Sequence, residues 1–126
     1  ELMKFASADT MDISTNIQEQ KVGMKTIVPL GLLINELVSN TIKYVIPQRE
    51  FTQVYITFQR DDFGYKLTYQ DNGTWEDDHD FTEDKSTGFG SELIEILVEQ
   101  MEGSFDLTKG PGNTKYTFYI NNLDLE

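Results

Sequence analysis

Cysteine is absent from the 126-residue sequence, and there is a single histidine, His79. Disulfides, thiolate metal sites and cysteine nucleophiles are excluded, as is a metal centre built from several histidines. Basic side chains are also scarce, 10 against 22 acidic ones, which leaves a formal net charge of -12 and a sequence pI near 4.3. They are scattered singly, so no patch can neutralise several phosphates of a backbone, and neither nucleic acid nor an anionic membrane is an expected partner. Long apolar runs are missing too. The longest, Ile27 to Ile34, has eight residues and is broken by Gly31, whereas a membrane span needs roughly 20.

What remains is sufficient for a folded domain. With 38% hydrophobic and 12% aromatic residues, the chain can close a core, unlike the weakly hydrophobic, highly charged chains that stay disordered. No repeat or low-complexity linker divides it, so residues 1–126 are expected to form one domain, with residues 1–10 as a linker. The opening Glu1 suggests a piece of a longer protein.

Hydrophobic periodicity predicts the elements. Met11 to Ile17 alternates loosely and reads as an edge strand. Ile27 to Val45 has helical spacing at Leu30, Leu33, Leu37, Ile42 and Val45, with Pro29 suited to a first turn and Pro47 ending the helix. Gln53 to Gln59 and Tyr65 to Gln70 alternate with period two around the turn Asp61-Asp62-Phe63-Gly64, a hairpin. The acidic stretch Asp71 to Thr87 is a loop. Leu93, Ile94, Leu97, Val98 and Met101 predict a helix over Ser91 to Met101, ended by Gly103. A second hairpin follows from Ser104 to Thr108 and Lys115 to Ile120, turning at Gly110-Pro111-Gly112-Asn113. The expected fold is α+β, a two-layer sandwich with helices on one face of a mixed, mostly antiparallel sheet.

Polar residues interrupt the first helix. At about 100° per residue, Asn40 lies roughly 40° and Lys43 roughly 20° around the axis from Glu36, so the three form one stripe. The stripe can be a solvated helix face with ordinary i to i+4 contacts. A carboxamide beside a carboxylate can also hold Mg²⁺, which keeps several waters and takes further ligands from phosphates. Downstream, Asp71-Asn72-Gly73 ends a strand, where an Asp can accept from an exocyclic amine such as that of adenine and a glycine permits close approach of a flat ring. Gly88 and Gly90 open a helix whose N–H groups can face an anion. Taken singly, D-N-G also reads as a turn and G-x-G as a hinge.

Together, N-E-L-V-S-N-T-I-K-Y from Asn35 to Tyr44, D-N-G at Asp71 to Gly73 and G-F-G-S-E-L-I at Gly88 to Ile94 resemble the ATP-binding catalytic domain of bacterial sensor histidine kinases. That domain has the Bergerat fold, shared with type II topoisomerases, the heat-shock chaperone of about 90 kDa and mismatch-repair ATPases. The resemblance spans nearly the whole chain and extends from Pro29 through the helix. It implies ATP and Mg²⁺ as cofactors, with Asn40 as the metal ligand and Glu36 as the catalytic residue that positions or polarises the attacking group. Lys43 and Tyr44 line the phosphate and adenine sides, Asp71 binds the adenine amine, Gly73 admits the ring, and Gly88 and Gly90 shape the end of the ATP lid. In the terminal strand, Thr114 or Thr117 is expected at the nucleotide.

The implied activity is a two-component phosphorelay. The γ-phosphate goes to a histidine on dimerisation helices outside this chain, then to a response-regulator aspartate. His79 is a surface residue in this reading, so the chain alone is not expected to autophosphorylate, and with dimerisation supplied by the helices outside it, it is expected to be monomeric. It faces the cytoplasm without membrane contact, in a soluble or membrane-anchored parent. One departure stands out: Trp75 occupies the second glycine of the D-x-G-x-G box, followed by a lid with six carboxylates between Glu76 and Asp84. A degenerate, regulatory kinase domain is therefore a competing expectation, and a serine kinase of the anti-sigma-factor type is another.

Overall fold

The computed structural model describes residues 11–18, 22–48, 51–62, 64–73 and 88–121. Five strands form one sheet: β1 (Met11–Ile17), β2 (Thr52–Arg60), β3 (Gly64–Asp71), β4 (Ser104–Gly110) and β5 (Asn113–Asn121), in the order β1-β2-β3-β5-β4. β1 runs parallel to β2, and every other pairing is antiparallel. The expected hairpins form, and the helical segment between β1 and β2 is the crossover that a parallel pair requires.

Period-two alternation decides which face is covered. Val54, Ile56 and Phe58 of β2, Tyr65, Leu67 and Tyr69 of β3, and Tyr116, Phe118 and Ile120 of β5 share one apolar face. Onto it pack Leu30, Leu33 and Leu37 of α1 (Met24–Asn40) and Ile94, Leu97, Val98 of α2 (Gly88–Gln100), with Met101 just beyond. Phe58 stacks on Tyr65 at 5.2 Å between ring centroids, and Phe118 lies between Phe105 and Tyr116. Burying these side chains is the main stabilising term, about 1.5–3 kcal/mol each. The opposite face is polar, with a central threonine row of Thr57, Thr68 and Thr117 in which the first two hydroxyls hydrogen-bond. The two-layer α+β sandwich is thus the observed architecture, and no described helix is long and apolar enough to cross a membrane.

Three local expectations need correction. Pro29 is the sixth residue of α1 and lies inside the helix, because α1 already starts at Met24, where the Gly23 carbonyl accepts from Thr26 and Ile27 N–H. The helix also does not run straight to Val45. After Asn40 it widens into a π-helical turn, Thr41–Val45, in which Ile46 N–H reaches the Thr41 carbonyl, and then tightens into a 3₁₀ turn, Ile46–Gln48, that contains Pro47. At the far end of α2, Gly103 is not the residue with left-handed backbone: Glu102 is, at φ 52°. Gly103 N–H returns to the Val98 carbonyl. A Cβ on Gly103 would run into the Tyr119 carbonyl oxygen, so glycine is required there by close approach.

Candidate functional site

The C-terminal end of β3 carries a buried carboxylate with a protein hydrogen bond on each oxygen. Asp71 is on the helix-facing side of the sheet, in register with Val54 and Thr114, and only 5% exposed. Its Oδ2 accepts from the Thr41 hydroxyl at 2.9 Å, and its Oδ1 accepts from Gly73 N–H at 3.0 Å. Thr41 in turn lies 2.7 Å from the Tyr69 hydroxyl. Burial raises the Asp71 pKa, because removing water penalises the charged form; the Gly73 and Thr41 bonds offset part of this rise. Burial likewise pushes the Tyr69 hydroxyl far up, opposed by the Thr41 bond and reinforced by the Asp71 charge.

The π-helical turn places its share of this cluster. A wider turn changes which residues face inward, and both Thr41 and Val45 are buried while Ile42 and Lys43 are exposed. Gly73 packs directly on this turn: a Cβ there would meet Val45 Cγ2 at 2.5 Å. The Thr114 hydroxyl donates to the Gly73 carbonyl at 3.1 Å, so β5 holds the segment after β3 in place.

Asn40, which immediately precedes Thr41, is buried to 7% exposure and its Nδ2 has no hydrogen-bond partner among the described residues. Such an orphan costs about 1–3 kcal/mol, which a ligand could offset. A half-turn of the carboxamide presents either Oδ1 to a cation or N–H to a phosphate oxygen. Glu36, one helical turn earlier, is half-buried. It contributes, after burial, Asp71 and Tyr69, to raising the Tyr116 hydroxyl, so Glu36 and Asp71 act on the same region. Among the described residues no three His, Cys, Asp or Glu side chains cluster as a metal cage. One carboxamide oxygen with a neighbouring carboxylate nevertheless fits Mg²⁺, which takes few protein ligands.

The structure therefore brings Asp71 and Gly73 together, with Asn40 and Glu36 on the adjoining helix end. Lys43 and Tyr44 are on the π-helical turn, exposed and half-buried respectively. Gly88 and Gly90 form the first turn of α2, which packs on α1. Thr117 is not brought to Asp71: its register with Thr68 and Asp106 puts it on the opposite face, and Thr114 is the threonine at the site. Trp75, His79 and the acidic lid lie outside the described residues. Thr41, Tyr69 and Val45 had no part in the site as read from sequence. One signal was available: Tyr69, two residues before Asp71, must share its face of the strand.

A polar depression of about 360 Å³, lined by Asp12, Gln53, Tyr55, Gln70 and Asn72, also borders Asp71. Its amides are largely used internally, Gln70 donating to Asn113 at 2.6 Å and Asn72 accepting from Gln53 N–H.

Residues 25–124 match the family described as histidine kinase-, DNA gyrase B- and HSP90-like ATPase. Similar solved structures include the histidine kinase domain of the Erythrobacter litoralis EL346 blue-light-activated histidine kinase, with TM-score 0.79 and 20% identity over 96% of this chain and 59% of that one. Acinetobacter baumannii histidine kinase AdeS has TM-score 0.71 and 15% identity over 98% of this chain and 60% of its own. The nucleotide-free catalytic domain of histidine kinase ThkA has TM-score 0.73 and 13% identity over 96% and 84%. The chain thus spans about three fifths of the first of these and only 40% of the longer EL346 chain. No curated protein matches by sequence.

Proposed function

Because the chain belongs to the histidine kinase-, DNA gyrase B- and HSP90-like ATPase family, we propose that it is the Mg-ATP-binding catalytic domain of a two-component sensor histidine kinase. The observation that carries the reading is Asp71: a buried carboxylate on which each oxygen accepts one protein hydrogen bond and keeps lone pairs for a ligand. An adenine amine is a donor of the right kind.

The residues divide the work. Asp71 binds the base amine beside Gly73, and Tyr44 lines the base side. The Asn40 carboxamide oxygen holds Mg²⁺, Lys43 adds positive charge on the phosphate side, and Gly88 and Gly90 shape the end of the lid. Mg²⁺ when bound supplies charge neutralisation at the transferring phosphate. Phosphoryl transfer needs positioning and electrostatic stabilisation more than covalent chemistry from the protein. A ring nitrogen of a histidine on the dimerisation helices attacks the γ-phosphorus, the bond to the bridging oxygen breaks, and ADP leaves. Glu36 accepts a hydrogen bond from the other ring nitrogen and so orients the attack. The phosphoryl group then passes to an aspartate of a response regulator. The domain acts on the cytoplasmic side, where ATP is.

Calorimetric titration with a nonhydrolysable ATP analogue tests the reading. Binding is expected to require Mg²⁺ for full affinity and to weaken about 10- to 100-fold in Asp71→Asn, the range for a lost hydrogen bond to a charged group. Asn40→Ala is expected to weaken binding mainly when Mg²⁺ is present. Absence of heat from the unmutated chain, with circular dichroism showing it folded, would sink the proposal in favour of a regulatory domain without nucleotide.

A further inference from the structure

We propose that Thr41 and Tyr69 are positioning residues that set the base preference of the site, through a directed chain in which the Tyr69 hydroxyl donates to Thr41 Oγ1 and the Thr41 hydroxyl donates to Asp71 Oδ2. The inference rests on the nucleotide-site reading above and adds to it the protein groups that orient the accepting Asp71 carboxylate.

The direction follows from proton counting. Asp71 as a carboxylate can only accept, and Thr41 has one hydroxyl proton, which goes to Oδ2 at 2.9 Å. The 2.7 Å contact between Thr41 and Tyr69 must then be Tyr69 donating. Tyr69 keeps its proton, since burial moves its ionisation far above the ordinary range. With Gly73 N–H on Oδ1, each carboxylate oxygen is held by one protein donor, and its remaining lone pairs can only accept. A 6-amino purine, which offers N–H, satisfies them; a 6-oxo purine offers a carbonyl oxygen and is repelled.

A protonated Asp71 would reverse the chain, donating to Thr41, which would donate to Tyr69. Thr41 therefore does more than fill space: it ties the orientation and protonation of Asp71 to a buried tyrosine on the same strand. Thr41 is also fully buried at the start of the π-helical turn, so the widened turn is what delivers the hydroxyl.

The test is to titrate the unmutated chain, Thr41→Val, Thr41→Ser and Tyr69→Phe with Mg-ATP, Mg-ITP and Mg-tripolyphosphate, beside thermal melts. In Thr41→Val the preference for ATP over ITP is expected to shrink about tenfold, the size of one hydrogen bond to a charged group. Tripolyphosphate, which has no base, should bind as before. Thr41→Ser should restore the preference, and Tyr69→Phe should reduce it about threefold. If Thr41→Val does not fold, Tyr69→Phe decides alone. An unchanged ATP to ITP ratio in the folded variants, or parallel losses for all three ligands, overturns this inference and leaves the ATP site standing. Failure of the unmutated chain to bind ATP overturns both.

Discussion

Asp71, Gly73 and Val45 show how little freedom the candidate site leaves its residues. A carboxylate of 5% exposure is tolerable because two donors offset part of its desolvation. Gly73 is fixed by packing before any ligand is considered, since its backbone lies against Val45. Gly73→Ala is therefore expected to destabilise the ligand-free protein by about 1–3 kcal/mol, the usual cost of overpacking. In a double-mutant cycle followed by urea denaturation, Val45→Ala should recover part of that loss by vacating the methyl. Additive losses would show that Val45 is not the obstacle. From sequence, Gly73 was expected to admit a flat ring; the structure supplies a second requirement, which a D-N-G string cannot reveal because Val45 is distant in the chain.

At the scale of elements, both helix ends differ from what periodicity implied. The 3.6-residue pattern continues through Ile42 and Val45, so nothing in it marks a wider turn at Thr41–Val45. That turn buries Thr41 and Val45 and leaves Lys43 exposed. At the end of α2, left-handed backbone falls on Glu102, where a side chain with Cβ costs roughly 1–2 kcal/mol. The Asn121 amide donates to the Glu102 carbonyl at 2.7 Å and helps hold this turn. Glu102→Gly is expected to raise stability by about 0.5–1 kcal/mol after the added flexibility of the unfolded chain is subtracted. Gly103→Ala should lower it by more, because the Tyr119 carbonyl occupies the space. Thermal melts of the two variants check the pair, and the opposite order would contradict this account of the helix end.

The whole molecule carries a formal net charge of -12, and self-repulsion should make the folded state salt-sensitive. Raising NaCl from about 0.01 M to about 0.15 M shortens the screening length from about 30 Å to about 8 Å. The Tm of the ligand-free chain is expected to rise by about 2–4 °C, or under about 1 kcal/mol. A Tm that fell would mean that local ion pairs outweigh the net repulsion. Comparable considerations apply at the site, where Lys43, Mg²⁺ and backbone N–H groups would have to overcome the same field to hold a triphosphate.

Much of the fold was legible in the chain because strand alternation and helix spacing are local consequences of side-chain chemistry. Thr52–Arg60 with Gly64–Asp71, Ser104–Gly110 with Asn113–Asn121, and α2 appear where their patterns place them. The motifs at Glu36, Asn40, Asp71 and Gly73 also fixed the family, since the spacing of polar residues that interrupt apolar runs is itself a sequence property. Only the tertiary structure put Thr117 on the far face and Thr114 at Gly73, because a shift of three residues along a strand reverses the side on which a side chain emerges. It also joined Tyr69, Thr41 and Asp71, whose contacts span 28 and 30 residues of chain. No local pattern encodes such pairs; they exist because the helix end and the strand end are packed together.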